Sequence, residues 1–374
     1  MIDFRKFTAR RPPSSRRYGL TKAGSISSMM LALMLLLGGC GSDSVTTGSG
    51  EQQLTVIQDD SAAAGKQPTV MLSSVDKLDH VYARTWLSAD ELLLNKNDRL
   101  LVHHLSTRQS TPLTPERKAP QYLAEASPDG RHVYFTEGQA DDKYVIHGYI
   151  LDRDTDKVTP IGDMDMVNEI RWADNEQLIA GSPKTGVRLI DLQGKSTLLK
   201  FREPHPTEGI SHVEKVGDRI YYLASDGQGY TTLNRFTTAD LQATVVASNV
   251  ADFSVSPDGQ SIVIQQVKWN TSEPFRLIVM DASGKVKGSV GEGTLLGRPA
   301  WSPDGELLAF TIYQESQQGL KGLYIFDQRT GKTIPLTSEI QGYNESIRWS
   351  PDGDHLSVYM EDQQVVTDIV GIIR

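Results

Sequence analysis

The chain is poor in cysteine and in long apolar runs. Its only cysteine among 374 residues is Cys40, so no disulfide can form within the chain and its stability must come from packing. The apolar, uncharged stretch Ile26–Leu37 is shorter than the roughly 20 residues that a membrane-spanning helix requires. No convincing helical periodicity follows Cys40. These absences exclude a disulfide-bonded scaffold and a multi-span membrane protein, and they favour an all-β body.

Positive charge is scarce outside the N-terminus. Residues 1–39 contain seven lysines and arginines and one acid, whereas the whole chain carries −9, so residues 40–374 carry −15. A body this acidic repels phosphate backbones and anionic lipid surfaces. The sequence therefore argues against nucleic-acid binding, and against membrane association through anything other than an N-terminal lipid.

The first 39 residues have the three parts of a secretory signal. A basic segment precedes the apolar core, and a short exit of small residues leads to Cys40. The sequence from Leu37 to Cys40 resembles the lipobox of bacterial lipoproteins, in which cleavage precedes the cysteine and its thiol is acylated. The alternative is a small buried thiol that happens to follow a hydrophobic run, and it does not explain the other export features. We therefore predict lipid attachment at Cys40.

The residues after Cys40 indicate where the anchor holds the chain. Gly41 and Ser42 follow the cysteine rather than Asp, which in lipoproteins of double-membraned bacteria resembles the signal for the outer membrane, facing the periplasm. Residues 40–66 are rich in small and polar residues, as is typical of a flexible stalk, and Leu54–Ile57 could form a short strand within it. We thus divide the chain into a signal peptide (1–39), a lipid-anchored stalk (40–66) and a body (67–374).

A motif of four residues recurs along the body. Ser-Pro-Asp-Gly begins at Ser127, Ser256, Ser302 and Ser350. A second signature consists of three apolar residues followed by Asp, and it ends 25 residues after the serine of the first in three of these units. Degenerate copies at 88–91, 172–175 and 216–219 bring the number of units to seven. Two signatures at one fixed offset indicate a repeated supersecondary unit.

Each unit predicts four short antiparallel strands, A to D. Pro, Asp and Gly suit successive positions of a tight turn between A and B, and Asp281–Lys285 predicts a second hairpin between C and D. One such sheet cannot bury both of its faces, but seven sheets stacked around an axis can, which predicts a β-propeller. The last unit has only three strands, near Ile347, Leu356 and Val366. We expect Pro68–Leu72 to supply the fourth strand and close the ring.

The repeats resemble the WD40-like (PD40) repeat of the TolB family. Units of that family read Trp-Ser-Pro-Asp-Gly, then a Leu-Ala-Phe strand, then an Asp-x-x-Gly-Lys hairpin, and Ala300–Phe310 is a near-ideal copy of the first part. The resemblance covers roughly residues 120–374 and implies a propeller. It implies little about function, because scaffolds, peptidase gating domains and lyases share the repeat. The family's α/β domain before the propeller has no counterpart in the about 40 residues between Cys40 and the first unit.

Motifs for catalysis are absent from the sequence. The chain has no Gly-x-Ser-x-Gly elbow, no phosphate-binding glycine loop and no His-Glu-x-x-His pair. His103 and His104 are adjacent on a strand and point to opposite faces, and His205 and His212, in or near a loop, are too few for a metal site. The acidic stretch Asp152–Asp156 lacks the Gly and the distant Glu of a calcium loop and coincides with the second hairpin. We predict no catalytic residue, no metal and no cofactor.

The longer connections predict a binding face. In a propeller the A–B and C–D turns share one face, and the B–C and D–A loops, which are longer here, share the other. Trp269 is the one tryptophan out of phase with the repeat and falls in such a loop, where it either anchors a partner or folds back over its own blade. The other four tryptophans recur with the repeat and are expected to fill the wedges between blades rather than stack on a ligand. The candidate partner-binding residues are Trp269, Arg202, His205 and Tyr313.

The predicted function is binding. The leading hypothesis is a lipid-anchored scaffold or protein-binding module of the cell envelope without catalytic activity, acting as a monomer or in a hetero-complex with envelope proteins. The alternative is an enzyme that acts on polysaccharide, similar to oligogalacturonate lyases, with or without a metal, and small-ligand sensing is a third class. Histidines and acids at the mouth of the axial channel would favour the enzyme, whereas small and apolar residues there would favour the scaffold.

Overall fold

The repeated units form seven sheets. In the described part of the chain, no helix is long and apolar enough to cross a membrane. All described residues belong to one compact unit, Glu51–Arg374. The computed structural model describes residues 70–138, 146–164, 170–182, 186–200, 210–225, 231–268, 271–313, 321–338, 340, 344–361 and 365–374.

Each sheet is a blade of antiparallel strands A to D, counted outward from the axis. Blade 1 contains β2 (Tyr82–Trp86), β3 (Glu91–Lys96), β4 (Arg99–His104) and β5 (Gln109–Pro112). Blade 2 contains β6 (Gln121–Ala126), β7 (His132–Gly138), β8 (Ile146–Asp152) and β9 (Lys157–Met164). Blade 3 contains β10 (Ile170–Trp172), β11 (Gln177–Ser182), β12 (Gly186–Asp191) and β13 (Ser196–Lys200). Blade 4 contains β14 (Ile210–Val216), β15 (Arg219–Ser225), β16 (Thr231–Thr237) and β17 (Thr244–Ser248).

The remaining three blades follow the same order. Blade 5 contains β18 (Val250–Val255), β19 (Ser261–Gln266), β20 (Phe275–Asp281) and β21 (Val286–Gly293). In blade 6 strand A is divided into β22 (Leu295–Leu296) and β23 (Ala300–Trp301), which are followed by β24 (Leu307–Tyr313), β25 (Gly322–Asp327) and β26 (Lys332–Thr337). Blade 7 contains β27 (Asn344–Trp349), β28 (His355–Glu361), β29 (Val365–Ile373) and, as its outermost strand, β1 (Met71–Asp79).

The A strands contact one another around a closed ring, from β2 to β27 and back to β2. The apolar core lies between neighbouring blades rather than within one. One cluster joins Leu307 and Ile325 of blade 6 to Ile347 and Val358 of blade 7, and a second joins blade 1 to blade 2. Because each sheet buries its faces against its neighbours, the blades are stable only as a set. The predicted seven-bladed propeller is confirmed.

An N-terminal strand closes the ring, as expected. The predicted segment Pro68–Leu72 is displaced, because β1 starts at Met71 and continues to Asp79. It pairs antiparallel with β29, from Met71 opposite Ile373 to Asp79 opposite Val366. The polar sequence of β1 explains the displacement, since the strand is the exposed edge of its blade and carries no apolar alternation that the sequence could reveal.

The Ser-Pro-Asp-Gly motif builds the same turn four times between strands A and B. In blade 6 the Ser302 hydroxyl donates to Asp304 Oδ1 (2.5 Å) and accepts from the Leu307 amide (2.9 Å), and its side chain is fully buried. The Gly305 amide donates to the Ser302 carbonyl (2.8 Å). Equivalent serine–aspartate bonds of 2.5–2.6 Å hold the turns at Ser127, Ser256 and Ser350. The serine hydroxyl thus accepts a hydrogen bond from a buried amide that the backbone bonds of the turn leave unpaired.

Gly130 shows why the last motif position is glycine. Its φ is +71°, a left-handed conformation that disfavours side chains. A Cβ at this position would lie 2.0 Å from the carbonyl oxygen of Leu87 in blade 1. The turn of blade 2 therefore also fixes how closely blade 2 approaches blade 1.

Four tryptophans tie neighbouring blades together. Each ends strand A of its blade and donates its indole Nε1–H to a carbonyl oxygen in strand A of the preceding blade, as expected for residues that fill wedges between blades. The bonds are Trp86 to Arg348 (3.1 Å), Trp172 to Glu125 (2.8 Å), Trp301 to Ser254 (3.2 Å) and Trp349 to Ala300 (2.9 Å).

We predict that Ser302→Ala lowers the free energy of unfolding by about 1–3 kcal/mol, because it leaves the buried Leu307 amide without its acceptor and removes one of the hydrogen bonds to Asp304. Ser283→Ala is the matched control. Ser283 also donates to an aspartate, Asp281 (2.6 Å), but it lies in an exposed C–D turn, so a loss within about 0.5 kcal/mol is expected. Urea unfolding of both variants checks this, and equal losses would contradict the role of the buried serine.

Candidate functional site

An axial cavity of about 610 Å³ lies inside the ring of A strands. All seven A strands contribute to its wall, and the prolines of the four Ser-Pro-Asp-Gly turns, which are exposed, line one end. The cavity therefore reaches the face formed by the A–B turns. A smaller hollow of about 220 Å³ adjoins it between blades 2, 3 and 4.

Side chains of the wall form two rings, because alternate residues of a strand point to the same side. The turn-side ring takes the residue before the tryptophan position of each A strand, and the far-side ring takes the residue two places earlier. The turn-side ring is Thr85, Glu125, Arg171, Glu214, Ser254, Ala300 and Arg348. The described far-side ring is Ala83, Leu123, His212, Asp252, Arg298 and Ser346.

A bidentate ion pair crosses the turn-side ring. The Arg348 guanidinium donates to both oxygens of Glu125, at 2.9 and 2.8 Å. Arg348 lies in blade 7 and Glu125 in blade 2, so the pair spans blade 1, whose ring residue is the short Thr85. Both side chains are more than half buried. Bidentate arginine–carboxylate pairs fix geometry as well as charge, so this pair holds two distant blades in register.

His212 is the centre of a second network. Its Nε2 lies 3.0 Å from Glu214 Oε1 and its Nδ1 lies 2.6 Å from Asp252 Oδ1, so it joins blade 4 to blade 5. Its ring also packs against Phe253, at 4.4 Å between centroids. A bulge in β14 places His212 at φ +43°, a backbone position that few side chains adopt.

Arginines extend this network to both sides. Arg298 Nε of blade 6 lies 3.2 Å from Asp252 Oδ2, and Arg171 of blade 3 lies 3.7 Å from Glu214 Oε1. Glu214 Oε2 also accepts the amide of Val255 (2.8 Å). Charges of opposite sign thus alternate across four consecutive blades.

The network holds His212 in its charged form. Burial and the nearby Arg171 lower the pKa of His212, but the charge of Asp252 and the hydrogen bonds to Asp252 and Glu214 outweigh them and raise it to about 9. Burial raises the pKa of Asp252, and the charges of His212, Arg298 and Arg171 outweigh burial, so the net effect is to lower it. An imidazolium whose two nitrogens face carboxylates cannot accept a proton as a general base at neutral pH.

The structure describes two of the residues singled out in the sequence and leaves the others open. His212 lies within β14, two residues after that strand begins at Ile210. Tyr313 ends β24, is half-buried and lies opposite Leu295. Arg202, His205, Trp269 and Cys40 lie outside the described residues, as does Leu54–Ile57.

The other histidine and acidic candidates have structural partners. His103 is buried against Ser110 Oγ (2.9 Å), whereas His104 lies 3.8 Å from Glu91, consistent with opposite faces of β4. Asp152 caps the turn after β8 by accepting the Asp154 amide (3.0 Å). Within the described ranges, no group of three or more His, Cys, Asp or Glu residues is arranged to hold a metal ion.

The charged residues of the channel were missed by sequence reasoning. Arg171, Glu214 and Arg348 look like solvated strand residues in the sequence. They could have been found from their place in the repeat, one residue before the tryptophan position. The residue at that place lines the axial cavity in every blade.

Two kinds of curated protein share segments with this chain, and no protein-family model matches it. The chain is 33% identical over 88 residues to the Tol-Pal system protein TolB of Alcanivorax borkumensis, a match that covers 23% of this chain and 20% of that protein. It is 28% identical over 115 residues to dipeptidyl-peptidase 5 of Porphyromonas gingivalis, covering 28% and 17%. The chain thus spans about a fifth of the length of the curated relatives it matches.

Solved propellers match most of the chain. An oligogalacturonate lyase in complex with manganese superposes with a TM-score of 0.58 at 12% identity, covering 80% of this chain and 91% of that one. The oligogalacturonate lyase of Vibrio parahaemolyticus gives 0.59 at 10% identity, covering 81% and 97%. The Cps50 (Swd1) propeller domain of Myceliophteria thermophila gives 0.55 at 12%, covering 81% and 99%. These likenesses show the fold alone, and with the TolB segment they support a TolB-like propeller.

We predict that the stability supplied by His212 depends on pH. Its pKa of about 9 in the folded chain exceeds the ordinary 6.5, so the contribution is full below about pH 6.5 and is lost as the pH rises through 9. The free energy of unfolding of the wild type should exceed that of His212→Gln most at low pH, and the gap should shrink by up to about 3 kcal/mol with rising pH. Urea unfolding at several pH values measures this gap.

His147→Gln is the control, because it removes a surface His–Asp pair (2.7 Å, to Asp163) outside the channel. If the pH dependence of His212→Gln matches that of His147→Gln and the wild type, the buried network does not hold the charge.

Proposed function

We propose that the protein is a cell-envelope binding propeller without catalytic activity, held at the outer membrane, facing the periplasm, by a lipid on Cys40. The observation that carries this proposal is that the titratable side chains of the channel are held in ion pairs with one another. His212 lies within 3.0 Å of both Glu214 and Asp252 in one ion network, and Glu125 is paired with Arg348. Groups held in this way brace a scaffold, whereas a general acid or base must exchange its proton during the reaction.

The relatives support an envelope role at a coarse level. The protein from Alcanivorax borkumensis that shares a segment with this chain is named as part of a Tol-Pal system. Ordered loops on rigid scaffolds are where recognition concentrates. We therefore infer that envelope proteins bind to the face formed by the B–C and D–A loops, through Trp269, Arg202, His205 and Tyr313.

The second candidate is an enzyme that acts on polysaccharide. It is favoured by one observation, namely that a histidine and three acids line the axial channel, which is not a wall of small and apolar side chains. Two of the similar solved structures are oligogalacturonate lyases, one of them in complex with manganese. We rank this candidate second because His212 is buried between its two carboxylates.

We predict that Trp269→Ala weakens crosslinking of the full chain to its envelope partners by about tenfold or more, because exposed tryptophans in loops are typical anchors of interfaces. The measurement is crosslinking in intact cells, followed by identification and quantification of the captured proteins. Val245→Ala is the control, since Val245 is 64% exposed on β17, the outermost strand of blade 4.

Two results would count against the binding proposal. The first is capture of the same partners in the same amounts by Trp269→Ala, Val245→Ala and the wild type, which would place the partner surface elsewhere. The second is cleavage of a uronate polysaccharide by the purified chain, measured with and without Mn²⁺ as the appearance of new chain ends. This cleavage would be absent in His212→Gln. That second result would favour the enzyme.

We predict that Cys40→Ser moves the mature chain from the membrane fraction to the soluble periplasmic fraction, because the acidic body has no other means of holding an anionic surface. Fractionation of cells with detection of the chain in each fraction measures this. An unchanged membrane association of Cys40→Ser from which residues 1–39 have been removed would contradict the lipid anchor without bearing on the propeller.

A further inference from the structure

The described wall of the axial cavity differs in charge from the protein around it. The chain as a whole carries −9. Among the described residues that line the cavity, however, arginines outnumber carboxylates. The arginines are Arg84, Arg171, Arg298 and Arg348, and the carboxylates are Glu125, Glu214 and Asp252.

His212 adds a further positive charge to this wall. It lines the same cavity between Glu214 and Asp252, and these two carboxylates keep it protonated at neutral pH. The described wall therefore carries a net positive charge at neutral pH. Arg84, Arg171, His212 and Arg348 stand on strands of the ring, and Arg298 lies in the three-residue link between β22 and β23 of blade 6.

Arg298 is the arginine best placed to meet a ligand. Its Nε lies 3.2 Å from Asp252 Oδ2, which orients the guanidinium, its side chain is 47% exposed, and it lines the cavity. A guanidinium has five N–H donors in a planar fork that matches carboxylate and phosphate groups. A half-exposed arginine held by a buried acid is thus oriented before an anion arrives, which reduces the entropy cost of binding.

The size of the cavity limits the ligand. A volume of about 610 Å³ lies within the range of roughly 300–1,000 Å³ that is usual for small-molecule sites. The acidic exterior repels anions in general, so anion binding to this protein should occur in the channel rather than over its surface.

We propose that the axial cavity binds a small anion with two or more acidic groups, carboxylate or phosphate, and that Arg298 is one of its contacts. Arg298 is not among the residues assigned to protein partners, so the two proposals are tested by different variants, and a small-ligand site would make the propeller a sensor in addition to a binding module. Failure of anion binding would leave the partner proposal standing, and failure of partner binding would leave the anion proposal standing.

Calorimetric titration of the full chain tests the proposal. The chain is purified in a non-ionic detergent and a low-salt buffer without phosphate or carboxylate. The probes are citrate and pyrophosphate, which distinguish carboxylate from phosphate ligands, and sorbitol as a neutral polyol. We expect saturable binding of one molecule of at least one anion per chain and none of sorbitol. Arg298→Gln should weaken the anion about tenfold or more, since it removes a charged hydrogen-bond donor.

Arg276→Gln is the matched control. Arg276 pairs with Glu292 through the same atom at the same distance, Nε to a carboxylate oxygen at 3.2 Å, and is 49% exposed, but it lies on β20 and does not line the cavity. This variant should bind the anion as the wild type does. Equal weakening in both variants, or no saturable binding of either anion to the wild type, would overturn the proposal.

A second variant covers the case in which Arg298→Gln fails to fold because Asp252 loses a partner. Ser254→Asp adds a negative charge to the turn-side ring and removes no ion pair, since the Ser254 contact with Trp301 is made by its backbone oxygen. We expect this variant to lose anion binding by about tenfold or more. Wild-type affinity in Ser254→Asp would overturn the channel as the site.

Discussion

The antiparallel pairing of β1 with β29 is the contact on which the ring depends. It joins Met71–Asp79 to the last strand of the chain, so blade 7 is built from both ends of the body. Thr367 strengthens this closure at the next boundary, because its buried hydroxyl donates to Val81 O (3.0 Å) and accepts from the Ala83 amide (3.1 Å). Without the closure, blades 1 and 7 would each expose an apolar face that only the other can cover.

Closure makes the local ties between blades cooperative. The tryptophan bonds link blade 7 to blade 1, blade 2 to blade 3, blade 5 to blade 6 and blade 6 to blade 7. The charged networks add links among blades 3, 4, 5 and 6, and between blades 7 and 2. Each tie is modest alone, but in a closed ring no blade can move away from one neighbour without approaching the other. The channel wall is therefore rigid, and it keeps like and opposite charges at fixed distances that an open sheet could not maintain.

The propeller fold alone does not indicate an activity for this chain. The similar solved propellers include lyases and a propeller domain of a different kind of protein, all at 10–12% identity. A fold shared at such low identity does not determine the side chains on the inner strands and loops, where a propeller's chemistry resides. In this chain the inner strands, together with Arg298 in the link between β22 and β23, place four arginines, one histidine and three acids on the described wall of the channel.

The sequence by itself determined the repeat, the turns and the number of blades. Ser-Pro-Asp-Gly is a local motif whose conformation follows from the φ preferences of Pro and Gly and from the serine–aspartate bond, so its period predicts the hairpins and hence the propeller. Only the tertiary structure decided the channel network, the position of His212 within β14 and the extent of β1. Arg348 and Glu125 are 223 residues apart, and their pairing depends on how blades 7, 1 and 2 curve around the axis. No local pattern encodes such a contact, because it arises from closure of the ring and not from the preferences of neighbouring residues.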